Sequence, residues 1–296
     1  MKKTVFEGVA TALITPFTDD SKSVDYDGFS RLIDFQISNN ADAIVIAGTT
    51  GESPVLSREE KISLFRNAVK SADGKLPVIA GTGSNNTEEA VRKSNDAEKQ
   101  GVNGLLIVTP YYNKCTQEGL VNHYFYIADR VSAPIIIYNV PSRTGLTIAP
   151  ETYKALSEHK NIVAVKEASS DISSFIKAIE LCGDSLDFYS GNDDLGVAMM
   201  SHGAKGIISV ASNIIPDIMH RITEFCNNND FKSAFILHKK YLKLINSMFC
   251  EVNPIPVKYA CNVLLKTNNT LRLPLTPLTK EREEKIKNLL YEYRMI

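Results

Sequence analysis

Eight short apolar runs recur between Gly8 and Val210, and this rhythm restricts the possible folds more than any other feature of the chain. They are GVATALI from Gly8, AIVIAG from Ala43, PVIAG from Pro77, GLLIVT from Gly104, PIIIYN from Pro134, IVAVKE from Ile162, LDFYSG from Leu186 and GIISV from Gly206. Gly, Pro, Asn or Asp bounds each run, and an amphipathic segment long enough for a crossover helix follows it. Runs that stay apolar, without strict alternation, belong to parallel strands covered on both faces. Eight such β/α units predict an α/β fold, a closed (β/α)8 TIM barrel. An open doubly wound sheet would carry a Gly-rich first turn. The nearest match, GTGSNN from Gly81, lacks the third glycine and follows the third run.

The rhythm stops at Pro216, after which helices punctuated by Pro254, Pro256, Pro274 and Pro277 are expected. The expected organisation is a barrel over residues 1–225 and a C-terminal helical domain over 226–296, packed on the barrel. Ser57-Arg58-Glu59-Glu60 is a capping box that opens the helix after the second run. At 296 residues, with 44% apolar and 23% charged side chains, the chain can bury a large core. Its 33 Lys+Arg and 34 Asp+Glu balance to a net charge of −1, so no overall field draws it to nucleic acid or to an anionic membrane. Small molecules and copies of itself are the expected partners.

No run reaches the roughly 18 apolar residues of a membrane span. Met1-Lys2-Lys3 imitates a secretory leader, but Glu7, Thr11, Thr15 and Pro16 interrupt the apolar stretch behind it. Cys115, Cys182, Cys226, Cys250 and Cys261 are odd in number and scattered, as expected of reduced thiols in a cytoplasmic protein. The five histidines show no H-E-x-x-H or H-x-H spacing, and Asn192-Asp193-Asp194 lacks partners for a cation, so no metal is expected.

Barrel enzymes carry their reactive groups at the C-terminal ends of the strands. Four polar clusters fall there: GTTGE from Gly48, TPYYN from Thr109, YNVPSRTG from Tyr138, and Lys166. Counting by two, Ile162, Ala164 and Lys166 share one face, and the small Ala164 leaves room inside a barrel. An amine walled in by apolar side chains loses the hydration of its charged form, which favours the neutral nucleophile that forms a Schiff base with a carbonyl. The competing reading is a strand-end lysine that reaches solvent or pairs with Glu167. Tyr138 shares parity with Ile136 and would face the same interior, where a phenol can shuttle protons, with Thr49 or Thr50 supplying a second hydroxyl. A barrel tyrosine satisfied by a carbonyl is the alternative. Arg143, in the adjoining loop, offers a guanidinium for a substrate carboxylate or is merely solvated. Tyr111-Tyr112, in a polar loop, suggests an exposed aromatic pair at a protein interface.

In this order and spacing the clusters resemble the dihydrodipicolinate synthase family of pyruvate-dependent class I aldolases. The likeness runs from GVATALITPF at Gly8 through GTTGE, TPYYN, YNVPSRTG, VAVKEAS and SGND to NPIPVK at Asn253 and LRLPLTP at Leu271. It implies that pyruvate forms an imine with Lys166 and that the derived enamine attacks L-aspartate-4-semialdehyde. It also implies a proton relay of Thr49, Tyr138 and Tyr112, with Tyr112 reaching in from an adjoining subunit. By the same resemblance Thr50 and the backbone around Gly191 and Ile208 line the pyruvate pocket, and Arg143 receives the semialdehyde carboxylate. No cofactor is implied, because the protonated imine is itself the electron sink. A homotetramer built as a pair of dimers is implied, as is a place in diaminopimelate and lysine biosynthesis.

Sibling lyases for sugar-derived 2-keto acids, such as N-acetylneuraminate lyases, share the Lys/Tyr core, but they typically lack the S-R-T-G loop and often carry GSTGE in place of GTTGE. A non-catalytic 2-keto acid sensor on the same barrel is a third possibility, of a different class. In lysine-inhibited members an allosteric pocket uses residues matched here by Ser53, Asn85, Glu89 and Tyr111. Pro54 stands at its Ala position and Arg58 and Lys61 at its histidine positions. Cations at the last two places predict weak or absent inhibition by lysine.

Overall fold

The computed structural model describes residues 4–296. Eight parallel strands follow the eight runs: β1 Gly8–Ala12, β2 Ala43–Ile46, β3 Val78–Gly81, β4 Gly104–Val108, β5 Ile135–Asn139, β6 Ile162–Glu167, β7 Asp187–Ser190 and β8 Gly206–Ser209. Neighbours in sequence are neighbours in space, and β8 pairs back onto β1 from Gly8↔Gly206 to Thr11↔Ser209, closing the barrel. The helices around it are α1 Tyr26–Ser38, α2 Arg58–Ala72, α3 Thr87–Glu98, α4 Gln117–Ala128, α5 Pro141–Thr144, α6 Pro150–Leu156, α7 Ile172–Cys182, α8 Gly196–Met200 and α9 Pro216–Asn227. Beyond them lie α10 Phe231–Ser247, α11 Ile255–Leu265 and α12 Lys280–Glu292. No helix among the described residues is long and apolar enough to cross a membrane.

The strands lack polar alternation because both of their faces are covered. Ile44, Ile46, Leu105, Ile107, Ile135, Ile137, Val165 and Ile207 pack outward beneath the helices. Ala10, Ala12, Val45, Ile79, Leu106, Ile136, Ala164 and Ile208 fill the barrel. Small residues on β1 and β6 leave space for two rings: Tyr138, and Tyr189, which stacks on Phe6 at 4.2 Å and donates to its carbonyl at 2.7 Å.

One expectation of strand parity is corrected. Ile162 packs with the outer core and Val163 with the inner one, because the β5–β6 register shifts: Ile135 pairs with Ile162, but Ile136 pairs with Ala164. Val163 is the extra residue of a bulge, and one extra residue reverses the face of everything before it. From Ala164 onward the parity places Lys166 as the sequence suggested.

The capping box is present: Ser57 Oγ accepts from Glu60 N at 3.1 Å, and Ser57 N donates to Glu60 Oε2 at 2.8 Å. α9 packs on β1 as the last crossover helix, and the boundary expected at 225/226 falls in its final turn. α10 lies against α8 and α9. The segment between α11 and α12 is tied over the top of the barrel through Arg272. Its guanidinium lies 4.3 Å from the centre of the Phe17 ring, donates to Glu60 at 2.6 and 2.7 Å, and also reaches the carbonyls of Ser21 at 2.8 Å, Lys22 at 3.0 Å and Val55 at 3.0 Å.

Candidate active site

The C-terminal ends of β5 and β6 bring Tyr138 and Lys166 side by side as a register pair. Lys166 is 5% exposed, and its Nζ lies 4.5 Å from the centre of the Tyr138 ring. The alternative pairing with Glu167 does not form. Pleating turns that carboxylate to the outer side, where Tyr153 OH donates to it at 2.6 Å, Asn139 Nδ2 at 3.0 Å to each oxygen, and Ser169 N at 2.7 Å. Among the described residues Lys166 has no ion-pair partner within 4.0 Å.

The loop after β2 is a tight one. Glu52 N donates to Thr49 O at 3.1 Å, Ser53 N to Gly48 O at 3.2 Å, and Thr15 Oγ1 to Gly51 O at 2.8 Å. It turns Thr49 and Thr50 into the barrel mouth, where a cavity of about 180 Å³ is lined by Thr49, Thr50, Tyr138, Arg143, Lys166 and Gly191. Gly191 has a steric reason to be glycine: a Cβ there would meet Ala168 Cβ at 2.7 Å and Lys166 Cε at 3.1 Å. Arg143 sits on the single turn α5, exposed, with Nη2 at 3.5 Å from the carbonyl of Asn253.

Thr49, Tyr138 and Arg143 also line a second cavity of about 250 Å³. Its charged lining is Arg143, Lys61 and Lys93, with no carboxylate, so this mouth suits an acidic small molecule.

Two expected site residues stand apart from these cavities. The Ile208 side chain is fully buried in the inner core, with its Cα opposite Ala10. Tyr112 is 92% exposed on the loop after β4, at a backbone φ of 69°.

Asn253 and Asp193 were not singled out by residue chemistry. Asn253 Nδ2 donates to Thr50 Oγ1 at 3.0 Å, leaving that hydroxyl's own proton free for another acceptor. The available signal was the NPIP motif, whose asparagine lies in the helical tail and reaches the site only through the tertiary fold. Asp193 belongs to the trio discounted as a cation site. Its Oδ2 instead accepts from the backbone of Val210 at 3.0 Å and Ala211 at 3.1 Å, fixing the end of β8. Burial pushes its carboxyl up from the usual range, opposed by those bonds and by the charge of Lys166. Among the described residues no three or more His, Cys, Asp or Glu side chains are grouped to hold a metal ion.

Compared with known proteins, residues 5–293 match the model of the dihydrodipicolinate synthetase family. The 4-hydroxy-tetrahydrodipicolinate synthase of Trichlorobacter lovleyi is 46% identical, over 99% of this chain and 100% of its own. That of Caldicellulosiruptor saccharolyticus is 48% identical, over 98% of this chain and 97% of its own. The crystal structure of dihydrodipicolinate synthase from Aquifex aeolicus superposes with a TM-score of 0.95 at 43% identity, covering 98% of this chain and 99% of that one.

Proposed function

Because the chain belongs to the dihydrodipicolinate synthetase family, we propose that it condenses pyruvate with L-aspartate-4-semialdehyde as a 4-hydroxy-tetrahydrodipicolinate synthase. The observation that carries the chemistry is Lys166, buried at the wall of a cavity, in contact with a phenol and with no ion pair among the described residues. The relatives favour this reading over a sugar-acid lyase or a sensor.

Lys166 Nζ attacks the pyruvate ketone, and the carbinolamine expels water to give a protonated imine. That cation draws electrons from the adjacent C–H bonds, so a methyl proton leaves and an enamine forms. The enamine carbon bonds to the aldehyde carbon of the semialdehyde, whose oxygen takes up a proton. The semialdehyde's own amine then displaces Lys166 from the imine carbon, closing the ring and freeing the enzyme. Tyr138 is the group placed to move protons at the carbinolamine and the aldehyde oxygen. In this reading Thr49 and the partner subunit's Tyr112 complete its relay. The near-complete exposure of Tyr112 in a single chain supports that role, as the ring is unused where it stands. A tetramer built from two such dimers follows from the same reading, as does a cytoplasmic location.

Arg143, held at the rim and opposed by no carboxylate, binds the carboxylate of the acceptor. Thr50 and the backbone at Gly191 shape the pyruvate end of the pocket.

Incubation with pyruvate, reduction with borohydride and peptide mapping should place a covalent adduct on Lys166. Absence of that adduct rejects the reading. Arg143→Ala should raise the KM for the semialdehyde about 10- to 100-fold while the pyruvate adduct still forms. Loss of the adduct in this variant would contradict the role given to Arg143. L-lysine is expected to be a poor inhibitor, since Arg58 and Lys61 oppose a cationic side chain and Glu89, which could offset part of that, is already gripped by Arg92. Half-inhibition at sub-millimolar lysine would refute this.

A further inference from the structure

The β5–β6 ladder is short where it carries the reactive pair. Above the bulge at Val163 its rungs are Ile136↔Ala164, Ile137↔Val165, Tyr138↔Lys166 and Asn139↔Glu167. The first two join apolar side chains, whose contacts have no direction and set no precise pitch between the strands. The last rung is directional. Asn139 Nδ2 donates to both Glu167 oxygens at 3.0 Å, on the outer face of the strands whose inner face carries Tyr138 and Lys166. Neither strand continues beyond this bridge.

The bridge is itself anchored from several sides. Glu167 also accepts from Tyr153 OH on α6 at 2.6 Å and from Ser169 N at 2.7 Å, and Asn139 Oδ1 accepts from Ile148 N, just before α6, at 3.3 Å. Burial, and then the Glu167 carboxylate, hold the Tyr153 phenol well above its ordinary value of 10, so it stays a donor. The Glu167 carbonyl accepts from Gly191 N at 2.7 Å, which ties β6 to the glycine that leaves room for Lys166. Among the described residues no Lys, Arg or His nitrogen lies within 4.0 Å of the carboxylate. Its partners are neutral donors of fixed direction, as suits a group that sets geometry.

We propose that Glu167, bridged to Asn139, is a positioning residue for the condensation: it fixes the last β5–β6 rung and, through it, the separation of Lys166 from Tyr138. This inference rests on the Schiff-base reading of Lys166. Glu167 touches no reacting atom in this role and acts through the strand. A misplacement of about 1 Å at a reacting group costs on the order of 100-fold in rate, so a small change of pitch at this rung is measurable.

The test times imine formation with pyruvate in the full-length protein, by borohydride quenching and mass spectrometry, alongside kcat and thermal unfolding. Glu167→Gln turns an amide toward the Asn139 amide, and Asn139→Asp turns a carboxylate toward the Glu167 carboxylate. Each is expected to slow imine formation and lower kcat about tenfold or more. Asn139→Asp combined with Glu167→Gln restores a donor facing an acceptor and should return both rates to within about threefold of the parent. A purely structural bridge would lower the unfolding midpoint and leave the rate per folded chain unchanged, a result that overturns the proposal. So does a double variant no faster than the single ones. If neither single variant folds, Glu167→Asp carries the test, since it keeps the carboxylate but withdraws it from Asn139 by one methylene. A slowing of about threefold or more is then expected, and an unchanged rate overturns the proposal. A parent chain that forms no imine rejects the Schiff-base reading and this inference with it, whereas a reactive parent with unaffected variants rejects only the role of Glu167.

Discussion

Lys258 and Lys166 are both removed from solvent, at 0% and 5% exposure, but their surroundings differ in kind. The ammonium of Lys258, on α11, meets the buried carboxylate of Glu52 and lies 4.1 Å from the centre of the Phe17 ring. The other oxygen of Glu52 accepts from Arg272 N at 3.2 Å. Charge, carboxylate, ring and backbone there form a closed set that ties the helical tail to the loop carrying Thr49 and Thr50. Even so, burial pushes the Lys258 amine down to about 8 against the pull of Glu52. Lys166 faces a cavity where Lys258 faces a carboxylate. A buried amine that is already neutralised can only hold a structure together, whereas one that opens on an empty space of substrate size can react. The fold holds the same side chain in two settings that differ by what stands opposite.

Replacing each lysine is the most direct way to break this comparison. Lys166→Ala should lower turnover by about 10⁴-fold or more, because the covalent step disappears, while the midpoint of thermal unfolding stays at or above that of the parent. A variant that instead unfolds would mean that Lys166 is structural too. Lys258→Met should do the reverse. It strands the Glu52 carboxylate in the interior at a cost of about 3 to 5 kcal/mol in urea unfolding, and Glu52→Gln added to it should recover most of that. A double variant as unstable as the single one would show that Glu52 and Lys258 are not coupled.

The smallest effect concerns the outer end of the same clasp. The Arg272 guanidinium beside Glu60 holds its carboxyl below the ordinary 4.5. The folded protein therefore binds fewer protons than the unfolded chain just below pH 4.5, so this contribution is present above that pH and lost as pH falls through the lowered value. Glu60→Gln should remove about 1 to 2 kcal/mol at neutral pH and flatten the decline in unfolding midpoint between about pH 4.5 and 3. An unchanged slope would detach Glu60 from the clasp.

The eight strands were legible because each is a continuous apolar run, and burial on both faces is a local property of sequence. Lys166 and Tyr138 were legible for a related reason, as polar residues at the ends of such runs. The face of Ile162 was not, because a bulge is fixed by the register between two strands and leaves no mark in one strand read alone. The clasp was also hidden. Glu52 and Lys258 are separated by 206 residues, and each taken singly reads as an ordinary charged side chain. Asn253 is a similar case, since its bond to Thr50 spans 203 residues. Nothing in the composition around it suggests that a residue of the tail reaches the barrel mouth.

Gly191 reaches beyond its own position. The neighbouring strand comes so near that even a methyl group would press on the Cε carbon of Lys166. In the proposed mechanism, substitutions there would act on the geometry of the Lys166 amine without altering its chemistry. For a distant homologue with an intact lysine, the identity of this one residue is thus a quick indication of whether the amine still has room to swing toward a ketone.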